Sequence, residues 1–323
     1  MEKPKFLIAR YFINNPLTKE WLPEGIDNLI KAGEILERLE PMYTMGLKLT
    51  VNNLDEDSEE AIKKQVSRLP LSFWYMFDPV DRGPGMSAKQ VQLNHTFDDG
   101  ILVNVDLDQF VINTEEGVGS IIGLVESLER ENCLYALGSR DVPIRLAKYP
   151  SNSVLREIHE LYHSLTIGSE HLHIEDSPQG ISPGYRTIGE STPAMTVVNH
   201  THRAYPTLVH RVAVASQQAN FRGWTAEYYM SIVASELDRI KKGYVKTKTN
   251  PFLRDIEENR ERDWVLQMIE EASRELGKTD VGKKVHNAVI NKENYLLLER
   301  FYDPSDISIV QSYMKKGLET TVR

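Results

Sequence analysis

The feature that most constrains the fold is the alternation of short apolar runs with longer amphipathic stretches over the first 150 residues. Apolar runs bounded by polar segments are typical of strands that are buried on both faces of a sheet. The amphipathic stretches between them predict helices that cover those faces. The pattern therefore predicts β-α-β units and an α/β fold with a mostly parallel sheet flanked by helices. The predicted strands are Lys5 to Ile13, Leu47 to Asn52, Leu71 to Phe77, Ile101 to Val105 and Cys133 to Leu137.

The pattern becomes less regular after residue 150 and ends in charged amphipathic helices. We therefore expect an α/β domain over residues 1–250 and a helical C-terminal extension over residues 251–323. The predicted segments are a helix from Ser153 to Leu165, an extended stretch from Ala194 to Val214, a helix from Trp224 to Leu237 and a long charged helix from Asp255 to Leu276.

Charge and composition exclude several classes of protein. The 38 basic and 47 acidic residues give a net charge of -9, so we expect no general attraction to nucleic acid or anionic lipid. The single cysteine, Cys133, excludes an intrachain disulfide and favours a reducing compartment. No signal peptide or membrane-spanning run is evident, so we expect a cytoplasmic protein with no integral membrane segment. The charged C-terminal helices would suit contacts between copies in a homo-oligomer.

Two acidic residues follow the fourth predicted strand. Asp106 and Asp108 are two positions apart, and ligands of open α/β sheets gather at the carboxyl ends of strands. Because positions i and i+2 of a strand project to the same side, both carboxylates can approach one hard cation such as Mg2+ or Mn2+. The spacing predicts a metal that neutralises a diphosphate; the alternative is that both acids begin a turn and cap the next helix.

The segment around these acids resembles the core of family 2 glycosyltransferases of the GT-A fold, particularly the dolichyl-phosphate-mannose-synthase-like branch. The resemblance is carried by the run VNVDLDQF, by the helical segment after it, and by a turn of Gly138, Ser139 and Arg140. Two later segments, SPQGISPGYRTIG and FRGWTAEYYMSIVASELDRIKKGYVK, are also similar to that family. The resemblance implies a GT-A-like, Rossmann-type sheet and a hexosyltransferase-like enzyme that moves a sugar from a nucleoside-diphosphate sugar donor to an acceptor that the sequence does not identify.

The resemblance also implies roles for single residues. Asp106 would lie near the donor ribose and, with Asp108, at the metal that bridges the donor diphosphate. His202 matches the region in which some metal-dependent sugar transferases have a histidine ligand. Glu227 matches an acid on the acceptor side, which in inverting members removes the proton of the acceptor hydroxyl. The alternative for Glu227 is a first-turn carboxylate that interacts with the helix dipole.

Further candidates would bind the donor nucleotide. The second strand of the family normally ends in paired acids, whereas this chain has asparagines there; Asn53 and Asp55 are the candidates to replace them. Lys89, in a predicted helix after a Gly-Pro-Gly turn, would face an anion together with free backbone N–H groups. Arg140 would bind a phosphate at the end of its strand, although an arginine in a turn is commonly a surface residue.

A competing motif is HELYH, which matches the H-E-x-x-H pattern of zinc metallopeptidases. Glycine and histidine should follow the second histidine by three and six residues in the longer metzincin pattern, but Gly168 and His171 follow His163 by five and eight. Helix phase also turns His159 and His163 about 120° away from the apolar stripe, which predicts a surface pair. A zinc metallopeptidase is therefore the first alternative, followed by a catalytically inactive nucleotide-sugar-binding protein and by a nucleotidyltransferase of similar topology.

Overall fold

The computed structural model describes residues 5–13, 22–51, 56–70, 74–78, 101–106, 111–140, 151–168, 172–175, 184–187, 195–219, 221, 225–245 and 262–319. Within these ranges the protein is a mixed α/β structure. None of the helices described is long and apolar enough to cross a membrane. The strands are β1 Lys5–Ile13, β2 Tyr43–Val51, β3 Trp74–Asp78, β4 Ile101–Asp106, β5 Tyr135–Arg140, β6 Leu172–Glu175, β7 Gly184–Thr187, β8 Met195–Asn199 and β9 Ile240–Val245. The helices are α1 Leu22–Leu39, α2 Glu56–Val66, α3 Glu115–Arg130, α4 Ser151–Ile167, α5 Tyr205–Ala219, α6 Thr225–Leu237, α7 Arg262–Gly277, α8 Gly282–Ile290, α9 Lys292–Glu299 and α10 Pro304–Glu319.

Seven strands form the main sheet in the order β3-β2-β1-β4-β8-β5-β9. The pairs β1–β2, β2–β3, β1–β4 and β5–β9 are parallel. Strand β8 is antiparallel to both of its neighbours, β4 and β5. The predicted run of parallel strands is therefore interrupted at one position, by a strand that comes from the less regular second half of the chain. Strands β6 and β7 form a separate antiparallel pair.

The strand order reverses direction between β1 and β4. From β1 the chain moves outward in one direction through β2 and β3, and then returns to place β4 on the other side of β1. Helices that connect β1 to β2 and β4 to β5 therefore leave the sheet in opposite directions. Such a reversal leaves a crevice outside the carboxyl ends of the two central strands, which is where open α/β sheets bind ligands.

Helix α3 connects β4 to β5 and is built as its sequence predicts. Its N-cap, Thr114, has extended backbone angles, and its hydroxyl oxygen accepts a hydrogen bond from the Gly117 N–H. Glu115 and Glu116 stand in the first turn and Arg130 in the last, an arrangement that complements the helix dipole. One face of the helix is buried against the sheet. The buried apolar residues are Val118, Ile121, Ile122, Leu124, Val125 and Leu128.

The prediction of an extended stretch from Ala194 to Val214 is wrong in its second part. Strand β8 ends at Asn199, and helix α5 begins at Tyr205. The buried positions from Tyr205 onward repeat with the period of a helix. The burial of a helical face against the rest of the core outweighs the weak strand preference of β-branched residues. The buried face of α5 consists of Tyr205, Leu208, Val209, Val212, Ala215 and Ala219.

Helices α7 to α10 confirm the helical character predicted for the C-terminal region. They pack on α4 and α6 and share one hydrophobic cluster with them and with β5. A second cluster joins α1, α2 and α3 to the sheet. The C-terminal helices therefore contribute directly to the core that surrounds α4. The boundary at residue 250 remains a prediction.

Candidate functional site

Asp106 is the last residue of β4 and lies at the reversal of strand order. It pairs with Arg10 in the register of β1 and β4, and β1 continues beyond this pair to Ile13. Asp106 therefore lies beside β1 at the carboxyl edge of the sheet. This position of the backbone lies beside the crevice in which open α/β sheets bind ligands.

Arg140 lies at the same edge of the sheet, two strands away. Val105 of β4 and Gly138 of β5 both pair with Met195 of β8, so the ends of β4 and β5 are at nearly the same level. Two inter-strand spacings separate the strands by about 10 Å. The Gly-Ser-Arg segment, predicted to be a turn, instead forms the end of β5, which extends to Arg140. The structure thus brings Asp106 and Arg140 to one edge, at a separation that a diphosphate and its metal can span.

Glu227 stands in the first turn of α6. This helix ends at Leu237, shortly before β9 begins at Ile240, and Ile240 pairs with Tyr135, the first residue of β5. The hydroxyl groups of Ser231 in α6 and Tyr135 are 3.5 Å apart, so the helix runs back along the sheet. Its first turn is therefore directed toward the carboxyl edge, the edge of Asp106 and Arg140.

His202 lies at the opposite edge. Because β8 is antiparallel, its last residue, Asn199, pairs with Ile101, the first residue of β4. His202 follows in the turn before α5, where its Nδ1 accepts a hydrogen bond from the Ala204 N–H at 3.2 Å. Its Nε2 is 3.5 Å from a carboxylate oxygen of Asp238. The length of β8, about 15 Å, separates this turn from Asp106, so the two residues do not belong to one site.

Other predicted site residues fall outside the described ranges. These residues are Asn53, Asp55, Lys89 and Asp108. Within the described ranges, no group of three or more His, Cys, Asp or Glu side chains is arranged to hold a metal ion. Carboxylate oxygens are the ligands that Mg2+ and Mn2+ prefer, and a cation site formed by Asp106 and Asp108 remains a prediction.

His159 and His163 are fully buried, so the prediction of a surface pair is wrong. Helix α6 covers the flank of α4 on which they stand, and the His163 ring stacks on Tyr228 with ring centroids 4.0 Å apart. The C-terminal helices cover other sides of α4. The sequence showed one apolar stripe on α4 but not that neighbouring helices surround it. The sequence did carry one signal of this burial: α7, α8 and α10 have large apolar faces, which must pack on another helix.

The two imidazoles contact each other rather than a substrate. Their Nε2 atoms are 3.0 Å apart, which is a hydrogen-bond distance. Burial lowers the pKa of His163 to about 3 and lowers the pKa of His159 well below its usual value. A zinc peptidase exposes its metal to solvent and to the peptide, whereas neither imidazole is exposed here. The described residues therefore do not support peptidase chemistry at HELYH.

No protein-family model matches the chain, and no curated protein matches its sequence significantly. Solved structures that resemble it include a mannosyltransferase from Pyrobaculum calidifontis in complex with GDP-Man and Mn2+. At 8% identity the match covers 100% of this chain and 88% of the mannosyltransferase, with a TM-score of 0.47. Mouse xyloside xylosyltransferase 1 matches at 12% identity over 72% of this chain and 82% of its own, with a TM-score of 0.36.

A third similar structure belongs to another class of enzyme. An apo UDP-glucose pyrophosphorylase matches at 9% identity over 76% of this chain and 92% of its own, with a TM-score of 0.39. Since TM-scores below 0.5 do not establish a common fold, the location of the site depends on the strand order and register of the chain itself.

Proposed function

We propose that the protein transfers a glycosyl group from a nucleoside-diphosphate sugar, in a reaction that requires Mg2+ or Mn2+, at the carboxyl edge between β1 and β4. The observation that carries this proposal is the reversal of strand order beside Asp106. A ligand crevice is expected there in any open α/β sheet, and an acidic residue at its centre favours a ligand that brings a cation. The resemblance of this segment to family 2 glycosyltransferases supports a sugar nucleotide as that ligand.

The chain's own residues divide into donor and acceptor roles in this proposal. Asp106 and Asp108 would hold the metal, which when bound stabilises negative charge on the departing nucleoside diphosphate. Arg140, at the same edge, would bind a phosphate of the donor. The donor-binding roles of Asn53, Asp55 and Lys89 remain predictions on the same basis. His202 has no role in the proposed site, because it lies at the other edge of the sheet.

Glu227 is the proposed base for the acceptor hydroxyl. Its first-turn position in α6, directed toward the carboxyl edge, supports this role. A base accelerates the transfer step, whereas a carboxylate that only interacts with the helix dipole affects folding. Glu227→Gln should therefore reduce kcat for transfer and leave the binding of the donor unchanged. Equal transfer rates in the variant and the parent would show that Glu227 is not the base.

The metal ligands are tested by incubating the protein with a panel of nucleoside-diphosphate sugars, with Mn2+, with Mg2+ and without metal, and measuring the released nucleoside diphosphate. Asp106→Asn and Asp108→Asn should each reduce release by about 100-fold or more, because each removes a charge that acts at the transition state. Asp78→Asn is the matched control. Asp78 ends β3 at the same edge but three strands from β4, and its variant should keep the parent rate.

Each other outcome contradicts the proposal in a distinct way. Binding of the donor with no release of nucleoside diphosphate indicates a binding protein without catalysis. Formation of pyrophosphate from a nucleoside triphosphate and a sugar phosphate indicates a nucleotidyltransferase. If Asp106→Asn releases nucleoside diphosphate at the parent rate, the reaction occurs elsewhere on the molecule.

A further inference from the structure

The pair formed by His159 and His163, called here the imidazole pair, has a definite protonation pattern. The Nε2 atoms are 3.0 Å apart, so one ring donates a proton and the other accepts it. In the neutral pair, one ring is therefore protonated at Nε2 and its partner at Nδ1. Two protonated rings would each direct an N–H toward the other at this distance, and the hydrogen bond would be lost.

Among the described residues, neither ring of the imidazole pair has a partner at Nδ1 that would accept a second proton. Both side chains are fully buried, and the Nδ1 atoms of both rings have no hydrogen-bond partner in the part of the chain that the structure describes. Helix α6 contributes the Tyr228 ring, which stacks on His163 and is edge-on to His159. The tyrosine face and edge add no full charge. A proton on either ring would therefore lack a stabilising partner.

The charged groups nearest to the imidazole pair do not favour its protonation. Arg156, one turn before His159 on α4, lowers the pKa of His159 further. Glu160 lies 3.4 Å from Arg156, and Glu157 interacts with Tyr302 after α9.

We propose that the imidazole pair is an acid-sensitive contact between α4 and α6, which is intact while both rings are neutral and opens when they are protonated. Helix α4 also packs on α7, α8 and α10, and all of these helices share one cluster of buried residues. Loss of the contact therefore destabilises the core that connects the sheet to the C-terminal helices. The proposal is independent of the reaction proposed for the carboxyl edge.

The sign and size of the effect follow from proton linkage. A histidine in the unfolded chain titrates near pH 6.5, whereas burial lowers the pKa of His163 in the folded protein to about 3. Below pH 6.5 the unfolded state therefore binds protons that the folded state does not, and stability falls as the pH falls. From pH 7.5 to 5.5, the unfolding equilibrium constant should rise about tenfold per imidazole, or about 100-fold for the pair.

The test compares urea unfolding at pH 7.5 and pH 5.5 for the parent and for the double variant His159→Leu/His163→Phe. Phenylalanine keeps a ring against Tyr228, and replacing both hydrogen-bond partners by apolar groups leaves no unpaired polar atom. The parent should lose about 100-fold more in folding equilibrium constant than the double variant between the two pH values. His210→Gln, which removes an exposed histidine of α5, should respond to pH as the parent does.

Nuclear magnetic resonance of imidazole nitrogens in the parent gives a second measurement that does not depend on a variant's folding. At pH 5.5, His159 and His163 should remain neutral, with one proton on Nε2 of one ring and on Nδ1 of the other. Titration of either ring near pH 6.5 would overturn the proposal. Equal acid sensitivity in the parent and the double variant would also overturn it. A shift of the Nε2 signals of both rings on addition of one equivalent of Zn2+ would overturn it as well, because two rings that coordinate a metal through Nε2 do not share a proton.

Discussion

The packing of helix α3 against the segment that follows the acidic residues leads to a sharp prediction for Gly117. A Cβ atom added at this position would lie 2.7 Å from the carbonyl carbon of Val111 and closer still to its oxygen. The Val111 backbone has little freedom to move away. It is followed by Ile112, which is buried, and by Asn113, whose side chain donates to Asn28 Oδ1 at 2.9 Å. Gly117→Ala should therefore either displace the Val111 backbone, which follows the segment that contains Asp106 and Asp108, or strain helix α3.

The same helix offers matched controls. Gly119 and Gly123 also lie in α3, and an added Cβ meets no atom within 4 Å at either position. There, alanine should stabilise the protein by about 0.5–1 kcal/mol through its higher helix propensity. At Gly117 the same gain is opposed by an overpacking cost of about 3 kcal/mol. We expect Gly117→Ala to lower the free energy of unfolding by about 2 kcal/mol, and so to be about 3 kcal/mol less stable than Gly119→Ala.

Urea unfolding of the three alanine variants, followed by circular dichroism, measures these differences. Mn2+-dependent nucleotide binding, measured where all variants are folded, should also weaken in Gly117→Ala alone, because Val111 follows the segment that contains Asp108. Equal stability of Gly117→Ala and Gly119→Ala would contradict the close contact between Gly117 and Val111. Such a result would mean that the backbone at Val111 does not approach the helix as described.

Two further predictions concern Arg211 of α5 and Cys133, which lies just before β5. Arg211 of α5 donates to Glu236 at 2.8 Å and to Asp280 at 2.7 Å, so Arg211→Met should destabilise the protein by about 2 kcal/mol in thermal or urea unfolding. Lys284→Met removes only a 3.7 Å ion pair with Glu236 and should lower the free energy of unfolding by at most about 0.5 kcal/mol. Equal losses of stability in Arg211→Met and Lys284→Met would contradict these contacts. Cys133 is buried, so a thiol reagent should modify it only as fast as the protein opens, and rapid labelling under native conditions would show that this end of β5 is accessible.

The parts of the fold that depend on local pattern could be predicted from the sequence. The strand from Lys5 to Ile13 has the predicted bounds, and the helix with the stripe around Val118 and Leu128 forms where its spacing indicated. In both cases one periodicity dominates the segment. The position of Asp106 at the end of β4 followed from the same pattern, since a polar residue directly after an apolar run ends a buried strand.

The parts that depend on neighbours in space could not be predicted in this way. The direction of β8 is set by its pairing with β4 and β5, and no residue within Met195–Asn199 encodes it. That direction alone moves His202 to the edge opposite Asp106. Likewise, the polar flank of α4 was expected to face solvent because a helix by itself has only one apolar stripe. The residues of α6 that bury His159 and His163 come more than 60 positions later in the sequence.

We expect a divalent cation and a nucleotide to bind together at the carboxyl edge between β1 and β4. Paramagnetic broadening by Mn2+, with GDP or UDP present, tests it most directly, because amide signals weaken with proximity to the metal. We expect the strongest broadening at Ile13 and Asp106, abolished by Asp106→Asn, with clearly weaker broadening at Asn199 and His202 on the opposite edge. Broadening centred on His202 or on the imidazole pair, or unchanged broadening in Asp106→Asn, would contradict it.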